Sequence, residues 1–240
     1  MKKTAFIIVF ILAFSSTISH AGFWDELLKE LPVPAKGNLN EGTIISGLKE
    51  ALSVGADKAV KKVSMVDGYF GSQLIKILMP EKMKKVAEVL GKIGFQREVD
   101  EFVLSMNRAA EKAAPEALSF FVDAIKGMTF EDAKNILNGG DTAATEFFRT
   151  KTYDRIYKAF KPVVSEAMNE VGVTRQYKQL MGKYDSVPFV DKQSLDLDHH
   201  VTTKTIDGLF YMIGEEEKKI RTDPAARVTE LLKKVFGNRR

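Results

Sequence analysis

Beyond Thr43, apolar residues recur at the three- and four-residue spacing of helices almost to the C terminus, and no segment alternates convincingly in the two-residue period of a strand. A chain with only that pattern folds as packed helices. The helices predicted run over 43–62, 81–93, 96–113, 115–127, 130–137, 142–171, 175–184, 198–220 and 224–236. The punctuation between them supports this reading. Thr129-x-x-Asp132 is a capping box, Asp223-Pro224 is an N-cap followed by proline at the first helical position, and Gly139-Gly140 can end one helix before Asp141 or Thr142 caps the next. Pro162 is expected to kink or split the long segment, and 185–195, with Pro188, to be the longest irregular loop. Over 65–79, Asp67-Gly68 signals a turn, and Leu74, Ile75, Ile77 and Leu78 before Pro80 fit either a short buried extended piece or a helical turn. The expectation is an all-α fold: one compact domain of about eight or nine helices over 42–240, preceded by a short amphipathic arm.

The first residues have a different logic. Lys2 and Lys3 form a positive start, Ala5 to Phe14 is an unbroken apolar run, and Ser19-His20-Ala21 has the small-x-small form of a cleavage site. Residues 1–21 therefore read as a secretory signal cleaved near Ala21, which places the mature chain in the periplasm or outside the cell. The apolar run is about half the roughly 20 residues needed to cross a bilayer. The chain has no cysteine, so neither a disulfide nor lipidation at a bacterial lipoprotein site is available. Residues 22–41 form the arm and its linker. Phe23, Trp24, Leu27, Leu28 and Leu31 fall on one helical face, and Pro32-Val33-Pro34 with Lys36-Gly37-Asn38 stops it. Two readings stay open for the arm: docking on the main domain, or contact through Phe23, Trp24, Leu27 and Leu28 with a protein, an amphiphile or a membrane surface.

Charge excludes one class of partner. Removing the first 21 residues with their two lysines takes the formal charge from +4 down to +2, and basic residues are interleaved with acidic ones along most of the chain. That describes solvated helix faces better than a stripe tracking phosphates, so nucleic acid is not expected. Standard catalytic and cofactor signatures are missing as well: no thiol, no Gly-x-Ser-x-Gly, no phosphate-cradling glycine loop and no His-Glu-x-x-His. His199 and His200 are adjacent, point about 100° apart on a helix, and with Asp196 and Asp198 read as a capped helix start. No metal ligand and no cofactor is assigned.

Two polar places resist the solvated-face account. On the helix through Ile206, Leu209, Phe210, Ile213 and Ile220, Glu217 falls inside the apolar stripe and Glu216 at its edge. A carboxylate buried there requires a cationic or hydrogen-bonding neighbour, and Glu217 with Arg221, like Glu215 with Lys219, has the favourable i,i+4 order. The second place is 96–113, where Val99, Phe102, Val103, Met106, Ala110 and Ala113 make the main apolar face and Leu104 lies opposite, beside Arg108 and Glu111. Apolar residues on both sides suggest a central helix touching protein all round, which draws Asn107, Arg108 and Glu111 into a polar network. Asn107, Arg108, Glu111 and Glu217 are thus the candidates for a ligand-binding site or a structural network.

Several runs carry a family resemblance: Asp67-Gly68-Tyr69-Phe70, Met106-Asn107-Arg108-Ala109-Ala110-Glu111, Asp132 through Thr145, Gly214-Glu215-Glu216-Glu217 and Ile220-Arg221-Thr222-Asp223-Pro224. Together with Gly47 to Leu52 they make the chain, over roughly 42–237, similar to the bacterial domain-of-unknown-function family 4197. The resemblance implies exported helical proteins without an assigned activity, and supplies no catalytic residue. His199-His200 departs from the family pattern, and the arm lies outside it.

The leading expectation is a non-enzymatic module that binds a partner, an apolar ligand or an envelope component, with Leu118, Phe120, Phe121, Val122, Ile125 and Met128 as raw material for a groove. One alternative is a structural or assembly protein that uses the arm. The other is an enzyme whose cleft gathers Asn107, Arg108, Glu111, Asp132, Asp141, Arg149 and Glu217.

Overall fold

A computed structural model describes residues 41–185 and 196–227, with Thr229 and Lys233. Residues 1–40, which include those read above as a signal and an arm, residues 186–195, read above as the longest loop, and most of 228–240 lie outside the described residues. Within them the chain is all-α, without a strand: α1 (Glu41–Ser64), α2 (Lys84–Lys92), α3 (Gln96–Ala113), α4 (Ala117–Lys126), α5 (Phe130–Asn138), α6 (Ala143–Glu170), α7 (Val173–Asp185) and α8 (Leu197–Thr222). Short 3₁₀ turns precede α2 (Glu81–Met83) and α4 (Ala114–Glu116), and a third, Pro224–Ala226, follows α8.

Periodicity explains the packing. The stripe Ile206, Leu209, Phe210, Ile213 and Ile220 seats α8 against α1 and α6, and every one of these side chains is buried. Helix α3 packs on α1, α2, α6, α7 and α8, the central position that apolar residues on two faces demand. Phe102, Met106, Phe160 and Phe210 are buried at the junctions. Each such side chain contributes about 1.5–3 kcal/mol relative to leaving it exposed.

Local signals set the helix ends. Thr129 Oγ1 accepts the Asp132 amide at 3.2 Å while Asp132 accepts the Thr129 amide at 3.1 Å, closing the capping box at the start of α5. Asp223 accepts the Ala225 amide with Pro224 next to it. Two expectations need correction. Helix α6 runs unbroken through the exposed Pro162, so the segment is not split there. Nor does α4 supply a groove: Leu118, Phe121, Val122, Ile125 and Met128 are buried and Phe120 is half-buried, because α4 lies on α1 and α6.

Residues 65–80 between α1 and the first 3₁₀ turn follow an irregular path. Asp67 takes the left-handed conformation (φ 67°), where a short polar side chain is tolerated. The Lys76 amide donates to the Ser72 carbonyl at 2.9 Å, closing a helical turn over 72–76, and 76–80 continue without regular structure; Ile75 and Ile77 are buried while Leu74 and Leu78 are exposed.

Candidate functional site

A segment outside helix and sheet leaves some of its amides and carbonyls unpaired unless side chains supply partners. Helix α3 supplies them. Asn107, fully buried, accepts the Ile77 amide through Oδ1 at 2.8 Å and donates from Nδ2 to the Ile77 carbonyl at 2.8 Å, so one carboxamide does the work of a missing strand. Nδ2 also reaches the Val103 carbonyl at 2.8 Å. One turn on, Glu111 Oε1 accepts the amides of Tyr69 (3.1 Å) and Phe70 (3.2 Å), and Oε2 accepts Arg108 Nη1 at 2.6 Å. Arg108 Nη2 continues to Asp67 at 2.7 Å, tying down the left-handed residue of the turn. Tyr69, sealed in the interior, donates its hydroxyl to the Thr205 carbonyl of α8 at 2.7 Å. Burial, reinforced by the charges of Glu111 and Asp207, holds that phenol well above its ordinary pKa, so it stays a proton donor. The close approach explains Gly208, where a Cβ would meet Tyr69 Cε1 at 2.7 Å.

The second buried carboxylate sits at the start of α6. The Thr142 side chain, at the N-cap position, makes no capping bond to the backbone. The acceptor comes from α8 instead. Glu217 Oε1 accepts the Ala144 amide at 3.0 Å, and Oε2 accepts the amide and hydroxyl of Thr145 at 2.9 and 2.8 Å. These are the second and third amides of α6, the pair that a local capping side chain normally satisfies. An anion here also meets the positive end of the helix dipole. Arg221 completes the arrangement, donating to Glu217 Oε1 from Nε (2.9 Å) and Nη2 (2.8 Å), and from Nη2 to the Ile136 carbonyl at 2.9 Å. The expected cap from Asp141 or Thr142 is thus replaced by a partner 72–73 residues away. Lys219, meanwhile, pairs with Glu216 at 2.6 Å and not with Glu215, the i,i+3 contact winning over i,i+4.

The four sequence candidates therefore fall into two clusters that share no residue in these contacts: Asn107, Arg108 and Glu111 under the 65–80 segment, and Glu217 at the start of α6. The space beside Glu217 and Arg221 is about 10 Å³, at the lower bound for one water. The other polar residues lie elsewhere. Asp132 serves its capping box, and Arg149 pairs with Asp207 and lies over the rings of Tyr153 and Phe210 at 5.6 and 5.4 Å. The histidines diverge: His199 Nδ1 meets the Tyr157 hydroxyl at 2.7 Å, and His200 Nε2 meets the Leu78 carbonyl at 3.2 Å. Among the described residues no three His, Cys, Asp or Glu side chains gather where they can hold a metal ion.

What residue patterns missed is a groove of about 570 Å³ between the 74–82 segment and α8. Leu74, Leu78 and Tyr211 border it and are 71%, 60% and 40% exposed. Lys76, Lys82, His200 and Lys204 stand along it. A signal was present in the apolar run Leu74, Ile75, Ile77 and Leu78 before Pro80, but not which of these side chains stay uncovered. Burial, opposed only in part by the bond to the Leu78 carbonyl, pushes the His200 pKa down, so the ring is neutral at neutral pH.

These features define an all-α protein in which buried side-chain acceptors stand in for missing backbone partners, with an apolar, lysine-bordered groove on its outside. The chain belongs to the family described as protein of unknown function (DUF4197), whose model matches residues 38–237. No curated protein and no solved structure matches it.

Proposed function

We propose that the protein is an exported, non-enzymatic binding module that takes an apolar ligand in the groove between Leu74–Lys82 and α8. One observation carries this reading: three large apolar side chains, Leu74, Leu78 and Tyr211, stand exposed on a single groove. The groove's size is within the roughly 300–1,000 Å³ of small-molecule sites. The enzyme alternative draws less support, since the oxygens of Glu111 and Glu217 are already engaged by amides and guanidinium groups. Asn107, Arg108, Glu111 and Glu217 then act as the frame that holds the groove's two walls.

The test is binding of dodecanol to the full mature chain, followed by thermal shift and calorimetry. Saturable uptake that raises Tm by mass action, and is lost in Leu74→Ser/Leu78→Ser, is expected. Uptake unaffected by those substitutions sinks the assignment of the groove. Export rests on the N-terminal pattern Lys2-Lys3, Ala5 to Phe14 and Ser19-His20-Ala21. It predicts that protein recovered from the cell envelope begins at Gly22; recovery with Met1 in place overturns it.

A further inference from the structure

Apolar walls say that a ligand has a hydrocarbon part; the charges around them say what its other end is. Two acidic residues line the groove, and both are engaged with cations that do not line it. Glu81 pairs with Lys84 at 2.7 Å, and Asp207 pairs with Arg149. Among the described residues, none of the three lining lysines has a carboxylate partner. Lys76 Nζ lies over the Phe70 ring at 3.8 Å, and Lys82 and Lys204 make no ion pair. His200 adds a fourth nitrogen-bearing side chain beside Lys204. Three ammonium groups without a carboxylate partner, against two carboxylates that are each paired with a cation, leave the groove's lining with an excess of positive charge. An anionic headgroup offsets it while its chain covers Leu74, Leu78 and Tyr211.

We propose that the groove binds a single-chain anionic amphiphile, the carboxylate, sulfate or phosphate-monoester headgroup held among Lys76, Lys82 and Lys204 and the alkyl chain laid between the 74–82 segment and α8. This rests on the groove being the binding site. A monomeric ligand is favoured over a protein partner or a bilayer by scale. Three exposed apolar side chains fall far short of the roughly 20–30 residues a side that a stable protein interface uses. The depression is concave and of single-molecule volume.

The experiment titrates the full mature chain with monomeric dodecanoate, dodecanol and dodecyltrimethylammonium, at low and high salt. Dodecanoate is expected to bind about ten-fold or more tighter than the trimethylammonium analogue, an advantage that shrinks as salt screens the lysines. Lys82→Ala/Lys204→Ala should remove most of that advantage while dodecanol binding persists. Leu74→Ser/Leu78→Ser should remove all three ligands. All four side chains are exposed, so the Tm of the ligand-free variants reports folding. Equal affinity for dodecanoate and the trimethylammonium analogue overturns the anionic headgroup but leaves the apolar groove standing. No binding of any probe overturns both. Retention on vesicles of anionic phospholipid without binding of monomers overturns the proposal in favour of a membrane surface.

Discussion

At Glu217 a buried carboxylate receives the second and third amides of a long helix, whereas at Glu111 it receives the amides of an irregular turn. Both accept two consecutive backbone N–H groups, and both pair with an arginine on their own helix. The arginines differ. The Arg221 side chain is 7% exposed and also serves the Ile136 carbonyl, while that of Arg108 is 30% exposed and reaches out to Asp67. Removing the carboxylate therefore strands a buried charge in one place and a hydratable one in the other. The lesson is that a buried acid derives its energetic weight from what is left behind when it goes, as much as from the bonds it makes.

That contrast can be broken by measurement. Glu217→Ala should lose about 3–5 kcal/mol, a Tm drop on the order of 10 °C, since Arg221 and two helix amides lose their acceptor together. Thermal or urea unfolding measures it, and a loss near 1 kcal/mol defeats the comparison at its strong end. For Glu111→Ala, about 2–3 kcal/mol is expected, because Arg108 can turn to water and only the Tyr69 and Phe70 amides are orphaned. If its urea midpoint falls as far as that of Glu217→Ala, exposure of the arginine is irrelevant. Gly208→Ala sharpens the Glu111 side. The new methyl would lie 2.7 Å from Tyr69 Cε1 and 3.2 Å from Ile75 Cβ, and Tyr69 is tied at both its amide and its hydroxyl. The expected cost is about 1–3 kcal/mol, read as a lower unfolding midpoint; a neutral result means the 65–80 segment is not held rigidly.

The smallest effect is on pH. Burial depresses the His200 pKa, so the unfolded chain takes up a proton near the ordinary value of 6.5 that the folded chain accepts only at lower pH. Stability contributed by the neutral ring is present above 6.5 and is lost as the pH falls from there to the folded value. The Tm advantage of the native chain over His200→Gln should accordingly narrow between about pH 7.5 and 5, the range in which histidine changes charge. A gap that widens on acidification contradicts the sign of the shift.

Much of this was legible in the residues. The apolar spacing of α8 put Glu217 in its inner stripe, and the demand that such a group find a cation or a donor pointed to Arg221, four residues on. The two-faced pattern of α3 marked Asn107, Arg108 and Glu111 as network members. Neither the amides of Ala144 and Thr145 nor the backbone of Ile77 was readable as a partner, because contacts 30 to 73 residues apart leave no periodic trace. The same limit sent the groove to α4, whose wide apolar arc turned out to be covered by α1 and α6.

By itself the sequence determined that the chain is helical, where most helices begin and end, and that certain acids had to be satisfied inside, since these follow from spacing and from the cost of burying a charge. Only the tertiary structure decided who satisfies them and which apolar side chains stay uncovered. Those outcomes depend on which helix comes to rest on which, as when α8 lends Glu217 to the start of α6 and leaves Leu74, Leu78 and Tyr211 facing water.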